Sequence, residues 1–331
     1  MRCYCGNGNS GRRHQPATII QECPAPGCGT AGLSVPTRWS SLMFLVNDYM
    51  ATTNDVELSY SIAGAGPPLV VTSPGWGIGS DYLKRGLRPL LEYFTIVFVT
   101  TRGSGRSTRP ADISRMGSAD MADDIEELRR HLGFPTIDLF GHSNGGAIAI
   151  SYARRHGAYL RKLVLTSSQL LGFDARKTVQ TFLDHAVTDP RYRDAVSWVA
   201  QPRPEDDDAF RRQFIKRLPL YFHDPDAHAE TFAHHVGESF SAWASRAQAT
   251  ADLPASASQV DKLASIRAET LIVVGGTAGF ARLPFPNDCM PESADLGSSC
   301  WNKPATFHGS RSRSTSSPRS GNSFVTADGS L

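Results

Sequence analysis

The chain has 331 residues, 40 % of them hydrophobic, enough to bury a large core, and one α/β domain with an insertion fits that length better than two unrelated domains. Its formal net charge of +2 gives no reason to expect a nucleic-acid partner. No apolar run approaches the roughly 20 residues of a membrane span, so no membrane partner is expected either, and the expected location is cytoplasmic.

Residues 1–49 have little apolar periodicity and set several arginines against only Glu22 and Asp48. They are expected to form a disordered N-terminal extension. An arginine-rich, acid-poor start also suits a mitochondrial transit peptide, but the plainer reading starts the folded protein near Met50. The run Leu42 to Val46 is too short for a signal-peptide core. Cys3, Cys5, Cys23 and Cys28 lie near the start, Cys289 and Cys300 near the end, and none lies between, so the core uses neither disulfides nor thiolate ligands. The irregular spacing of the first four, with no histidine at a useful offset, argues against zinc. No metal or cofactor is expected.

From Met50 the pattern is regular. Val56, Leu58 and Tyr60 alternate within a strand over Asp55–Ser61, Gly64 to Pro68 reads as a turn, and Leu69–Thr72 as a buried strand ending at Ser73-Pro74-Gly75-Trp76-Gly77-Ile78-Gly79. Phe94–Thr100 is a second buried strand, leading into Thr101-Arg102-Gly103-Ser104-Gly105-Arg106-Ser107. Met121, Ile125, Leu128 and Leu132 recur at helical spacing, with Asp120, Asp123 and Asp124 in the first turn and Arg129, Arg130 and His131 in the last, as the helix dipole favours. Ile137, Leu139 and Phe140 end another strand, and a helix starts at Gly146 and runs to Arg155. Strands follow at Leu163–Ser167 and Thr270–Val274. Strands alternating with helices predict an α/β fold with a doubly wound, mostly parallel sheet.

Between that third buried strand and its helix stands Gly141-His142-Ser143-Asn144-Gly145, a G-x-S-x-G turn. Glycine is needed at both flanks because the turn forces the serine into a strained backbone conformation in which neighbouring Cβ atoms would collide with strand and helix. Such a turn exposes Ser143 Oγ to a histidine, while the following amide helps to hold an oxyanion.

With these motifs the chain resembles the α/β-hydrolase family, and within it the proline iminopeptidase-like and related small-molecule hydrolases, over about residues 50–276. The elbow around Ser143 carries the resemblance first. Ser73-Pro74-Gly75-Trp76-Gly77 stands where that subgroup usually has His-Gly-Gly-Pro-Gly, and Arg102-Gly103-Ser104-Gly105-Arg106-Ser107 matches Asp-x-Arg-Gly-x-Gly-x-Ser, with Thr100 in the aspartate position. The resemblance implies an oxyanion hole built from backbone amides, with Gly75 or Trp76 pairing with Asn144. Ser73 in place of the family histidine argues against aminopeptidase specificity.

Residues 169–262 interrupt the sheet with helical, aromatic sequence that includes Phe182, Trp198, Phe210, Phe214, Tyr221, Phe222, Phe232, Phe240 and Trp243. The resemblance implies a helical cap over the active site, and most of these aromatics read as the cap's own core. The acidic run Glu205 to Asp208 reads as a solvated loop rather than a subsite for a cationic amine. The expected organisation is therefore an extension (1–49), core (50–168), cap (169–262), core with the last recognisable strand (263–280) and an atypical, disordered tail (281–331).

The family's order of nucleophile, acid and histidine places the acid just after the strand ending at Val274, where Gly275-Gly276-Thr277-Ala278-Gly279-Phe280 has no carboxylate. Downstream stand Asp288, Glu292 and Asp295, and a single histidine, His308, followed by a serine-, arginine- and glycine-rich run over 310–322. Such a tail is expected to lack the last strand and its helix, as an altered splice or reading frame would leave it. Among earlier histidines, His142 reads as a packing or positioning residue. His185, His223, His228, His234 and His235 belong to the cap, and His131 and His156 sit at helix ends. His308 is taken as the base by default and Asp288 as its acid. The expected activity is that of a serine hydrolase cleaving an ester, lactone or amide bond of a small, largely apolar substrate. The alternatives are a catalytically incomplete relative that only binds a ligand or partner, and a proline iminopeptidase-like aminopeptidase. Aspartate-elbow epoxide chemistry is disfavoured by Ser143.

Overall fold

A computed structural model describes residues 48–237, 239–274 and 300–301, all within one compact unit, Met43–Leu331. The expectations for residues 1–47, including Cys3, Cys5, Cys23 and Cys28, and those for Asp288 and His308 lie outside the described residues.

The elements run β1 (Asp48–Thr53), β2 (Val56–Gly64), β3 (Pro68–Thr72), α1 (Asp81–Gly86), β4 (Thr95–Val99), α2 (Ser118–His131), β5 (Ile137–His142), α3 (Asn144–Arg155) and β6 (Leu160–Thr166). Then come α4 (Arg176–Ala186), α5 (Pro190–Ser197), α6 (Asp207–Arg217), α7 (Pro225–His235), α8 (Ala242–Asp252), β7 (Glu269–Val273) and β8 (Cys300–Trp301). One sheet takes all the strands in the order β1-β2-β4-β3-β5-β6-β7-β8. β3 to β7 are mutually parallel, whereas β1, β2 and β8 pair antiparallel with their neighbours.

The central strands are continuous apolar runs because helices cover both faces of a parallel sheet. Alternate residues of each strand go to opposite cores. Val70, Val97, Val99 and Leu139 pack with Met121, Ile125 and Leu128 of α2 and Ile148 and Tyr152 of α3. Leu69, Val71, Ile96, Phe98 and Phe140 pack on the other face with Leu83 of α1 and the half-buried Leu87, Leu90 and Leu91 that follow it.

Two boundaries differ from the expectation. The fold already includes Asp48, because β1 joins the sheet edge through all six of its residues, Asp48↔Ser61 to Thr53↔Val56. Only Ala51 and Thr53 of β1 are buried, so DYMATT carries no alternation of large apolar residues to read as a strand. Cys300 and Trp301 fall in the stretch expected to contribute nothing to the sheet, yet they pair antiparallel with Ile272 and Leu271.

From β3 the chain moves outward to β4 and then returns across β3 to β5. The loops that follow β3 and β5 therefore leave the sheet in opposite senses and open a crevice between them, the place where open α/β sheets bind ligands. Ser73–Gly79 and Ser143 flank this crevice.

Candidate active site

Ser143 sits between β5 and α3 at φ 55°, ψ −130°. Positive φ puts the Cβ of an L-residue against its own backbone, at a cost of about 1–3 kcal/mol, and persists only where surroundings hold it. Here three backbone bonds do so: Ser143 N–H donates to Thr166 O at 3.2 Å, and Ser143 O accepts from Gly146 N–H at 2.9 Å and Gln169 N–H at 2.8 Å. The glycines are explained by what a side chain would meet. A Cβ on Gly141 would stand 2.5 Å from Gly145 O, and one on Gly145 2.8 Å from Ser73 O.

Gly146 is the tightest of the group, since an added Cβ would lie 1.7 Å from Ser168 Oγ and 3.0 Å from Ser168 Cα. In an open helix position glycine to alanine stabilises by up to about 1 kcal/mol. Here the sign is expected to reverse, and Gly146→Ala should destabilise by about 1–3 kcal/mol through overpacking. Urea denaturation measures this, and a stabilised variant would mean that Ser168 moves aside without cost.

The loop after β3 makes the second wall. Gly75, Trp76 and Gly77 take φ of 73°, 54° and 72° in succession. Gly75 is obligatory because a Cβ there would stand 2.0 Å from Asn144 Oδ1. The structure thus packs Gly75 against the side chain of Asn144, the residue that follows Ser143. The Trp76 amide, however, is engaged: it donates to Gln248 Oε1 at 2.7 Å. Gln248 Nε2 donates to Asn144 Oδ1 at 2.5 Å, Asn144 Nδ2 to Gln169 Oε1 at 2.7 Å, and Trp76 Nε1 to the same Gln169 Oε1 at 3.1 Å. Trp76, through its backbone amide and its indole, and the side chains of Asn144, Gln169 and Gln248 close a ring of hydrogen bonds between the β3 loop, α3, the β6 loop and α8, with the Arg203 guanidinium 4.3 Å over the Trp76 ring. Sequence reading missed both glutamines. Gln169 was within reach, directly after the strand beside the elbow, whereas Gln248 lies 172 residues from Trp76.

His142, next to Ser143, accepts or donates at Nδ1 with Tyr82 Oη at 2.6 Å, and the Tyr82 ring in turn packs tilted against Phe232 of α7, with centroids 5.2 Å apart. Burial pushes the His142 imidazole down to about 4. It is therefore neutral near pH 7. Its folded pKa lies below the unfolded value of about 6.5, so the unfolded chain binds the proton first, and stability falls as pH drops from about 6.5 to about 4. His142→Gln is expected to flatten that decline by up to about 3 kcal/mol. Denaturation midpoints at pH 7 and pH 4.5 check it; equal slopes for parent and variant would reject the shift.

The third matched motif has a structural function. Arg102 is fully buried, with Nε 2.7 Å from Asp124 Oδ2, Nη2 2.6 Å from Asp124 Oδ1 and Nη1 2.8 Å from Arg115 O. It holds the loop after β4 against α2. Glycine at 103 leaves room for Trp243 of α8, which a Cβ would approach to 2.7 Å.

The helical segment α4–α8 meets the sheet at the same end. Ser241 N–H donates to Gly77 O at 2.7 Å, Gly79 N–H to Ser239 O at 2.8 Å, and Ile78 bridges Phe240. Many of its aromatics pack on one another, Phe210 and Phe214 on Phe240 at 5.6 and 5.5 Å and Phe222 on Phe232 at 5.6 Å. The acidic run is exposed over Glu205 to Asp208, as a solvated stretch would be, and it also caps helices: Asp206 accepts from Ala209 N–H at 2.7 Å and Asp207 from Ala242 N–H at 2.7 Å. A carboxylate there satisfies orphan N–H groups and the helix dipole.

Two other described histidines are engaged elsewhere, His156 with Asp123 at 2.7 Å and His185 with Thr181 O at 2.6 Å. Among the described residues no group of His, Cys, Asp and Glu could hold a metal ion, and no helix is long and apolar enough to cross a membrane.

The sequence pattern of the α/β hydrolase fold matches residues 68–263. The chain belongs to the α/β-hydrolase family. It is 35 % identical over 109 residues to a soluble epoxide hydrolase of Corynebacterium sp. (strain C12), covering 33 % of this chain and 37 % of that protein. It is 37 % identical over 110 residues to a proline iminopeptidase of Saccharolobus solfataricus, covering 33 % of this chain and 35 % of that protein. The matched part thus spans little more than a third of those relatives. An esterase from Exiguobacterium antarcticum superposes with TM-score 0.50 at 21 % identity, over 70 % of this chain and 82 % of that one, a likeness of fold. In this α/β-hydrolase sheet the elbow stands at the end of β5, beside the switch point.

Proposed function

We propose that this α/β hydrolase is a serine hydrolase that cleaves an ester, lactone or amide bond of a small, largely apolar substrate through a Ser143 acyl-enzyme. The observation that carries the reading is Ser143 itself, held at φ 55° by three backbone hydrogen bonds between a buried strand and the helix α3. Serine rather than aspartate at the elbow favours acyl transfer over the chemistry that the epoxide hydrolase relative's name describes. In this reading Ser143 Oγ attacks the acyl carbon, a histidine takes the proton, and the Asn144 amide with that of Gly75 or Trp76 stabilises the oxyanion, each such donor being worth about 3–4 kcal/mol. The leaving group departs with the proton, and water then releases the acid. His308 is the proposed base and Asp288 its acid. The helical segment α4–α8 is proposed as the cap, since it meets the loops on either side of Ser143.

A second reading is favoured by one observation. Gly275 to Phe280, where the family's acid is expected, contains no carboxylate, which suits a hydrolase-like protein that binds a ligand or partner without turnover. The name of the proline iminopeptidase relative suggests an aminopeptidase, against which Ser73 weighs. A fluorophosphonate reagent separates the first two. Peptide mass spectrometry that finds the adduct on Ser143 supports the hydrolase, and a folded protein left unlabelled supports the binding protein.

A further inference from the structure

The Trp76 amide has one hydrogen to donate, and in this structure a carbonyl oxygen already takes it. Gln248 Oε1 lies 2.7 Å from Trp76 N, while its Nε2 is 2.5 Å from Asn144 Oδ1 and 3.4 Å from Ser118 Oγ. Gln248 is 1 % exposed and Asn144 fully buried, so these bonds are shielded from bulk solvent. The amide carbonyl of glutamine is chemically close to the acyl oxygen of an ester or amide substrate. In the hydrolase reading the Trp76 amide is, with that of Gly75, one of the two candidates for the second donor to such an oxygen, and here the glutamine carbonyl occupies it. The residue is also fixed in place: α8 is tied down at both ends, by Ser241 N–H on Gly77 O at 2.7 Å and by Asp252, whose carboxylate accepts from Ser118 N–H at 2.8 Å and Ser118 Oγ at 2.7 Å.

From this geometry we infer that Gln248 is a positioning residue that plugs the oxyanion hole, and that an acyl substrate enters by displacing its side-chain carbonyl from the Trp76 amide. The inference rests on the hydrolase reading and adds to it a second requirement. Binding at Ser143 breaks the Trp76 and Asn144 bonds of Gln248, so the orientation of α8 sets how readily the hole opens. A long apolar side chain at 248 fills the same space without accepting a hydrogen bond. Gln248→Met therefore releases the Trp76 amide from its acceptor while keeping the packing, and leaves a side chain that no hydrogen bond holds against displacement.

The test uses the full chain with and without Gln248→Met, with Gln248→Ala as a second variant. Fluorophosphonate reacts at Ser143 by forming an O–P bond and expelling fluoride, and the phosphonyl oxygen takes the place of the oxyanion. Labelling is expected to be roughly tenfold faster in both variants, the factor for releasing one or two hydrogen bonds. The structural readout is independent of reactivity. Trp76 is the one tryptophan that follows glycine, so carbonyl-13C glycine with 15N tryptophan isolates its amide signal in a triple-resonance spectrum. In the parent that amide is expected to show the small temperature coefficient of a hydrogen-bonded group, and in Gln248→Met to move upfield and become exchange-labile. An unmoved amide, a solvent-exposed amide in the parent, or equal labelling rates would overturn the plug while leaving the hydrolase reading standing. No labelling of any of the three proteins would remove both.

Discussion

Replacing Ser143 by alanine is expected to reduce hydrolysis of short p-nitrophenyl esters by about 10⁴-fold or more, because nucleophile, base and acid act as a unit and the loss of one removes most of their joint effect. The variant should fold as well as the parent. Alanine carries the same Cβ as serine at φ 55°, so the backbone strain is unchanged, and the bonds that hold the position run through Ser143 N–H and O. Equal melting temperatures together with lost turnover would identify the hydroxyl as the reacting group. Turnover that persists at the parent level in Ser143→Ala would sink the assignment, whatever the fate of His308 and Asp288.

The second large effect concerns stability. Asp124 is 2 % exposed and receives two hydrogen bonds from Arg102, one from Thr53 Oγ1 at 3.0 Å and one from Asn54 Nδ2 at 3.4 Å. Burial by itself would push the Arg102 guanidinium down, but the bonds and charge of Asp124 outweigh it and hold Arg102 above its usual value. The pair joins the β1–β2 turn, the loop after β4 and α2 at one buried point. Asp124→Ala leaves Arg102 with Asp55, whose Oδ1 stands 3.2 Å away and which is itself one-quarter exposed. A buried charge stripped of its partner costs about 3–5 kcal/mol, and that loss is expected in urea denaturation of Asp124→Ala. Arg102→Met combined with Asp124→Leu removes both charges and should lose distinctly less than the two single variants together. A single-variant loss below about 1 kcal/mol would show that Asp55 and solvent replace the missing carboxylate.

The elbow was legible in sequence because its constraints are local. Gly141, Ser143 and Gly145 are required by contacts within a five-residue turn and with the strand beside it, so residue types at fixed spacing carry the whole message. The apolar runs of β3, β4 and β5 were legible for a related reason, since burial on both faces writes itself into consecutive residues. β1 was not, because an edge strand with two small buried residues leaves no periodic mark. The exposure of the acidic run Glu205 to Asp208 was legible, but its capping was not, since nothing in its neighbours tells that Asp207 meets the first turn of a helix 35 residues away.

By itself the sequence determined the fold class and the elbow that carries Ser143, and it pointed to the loop Gly75–Gly77 and to Asn144 as its neighbours. Only the tertiary structure decided what the Trp76 amide and the Asn144 side chain hold. Glutamine shows no periodicity, charge or turn preference that would mark it, so Gln169 and Gln248 become visible only when the sheet brings the β3, β5 and β6 loops together and α8 lies across them. Hydrogen bonds between residues 172 positions apart depend on chain topology, and topology is a property of how whole elements pack.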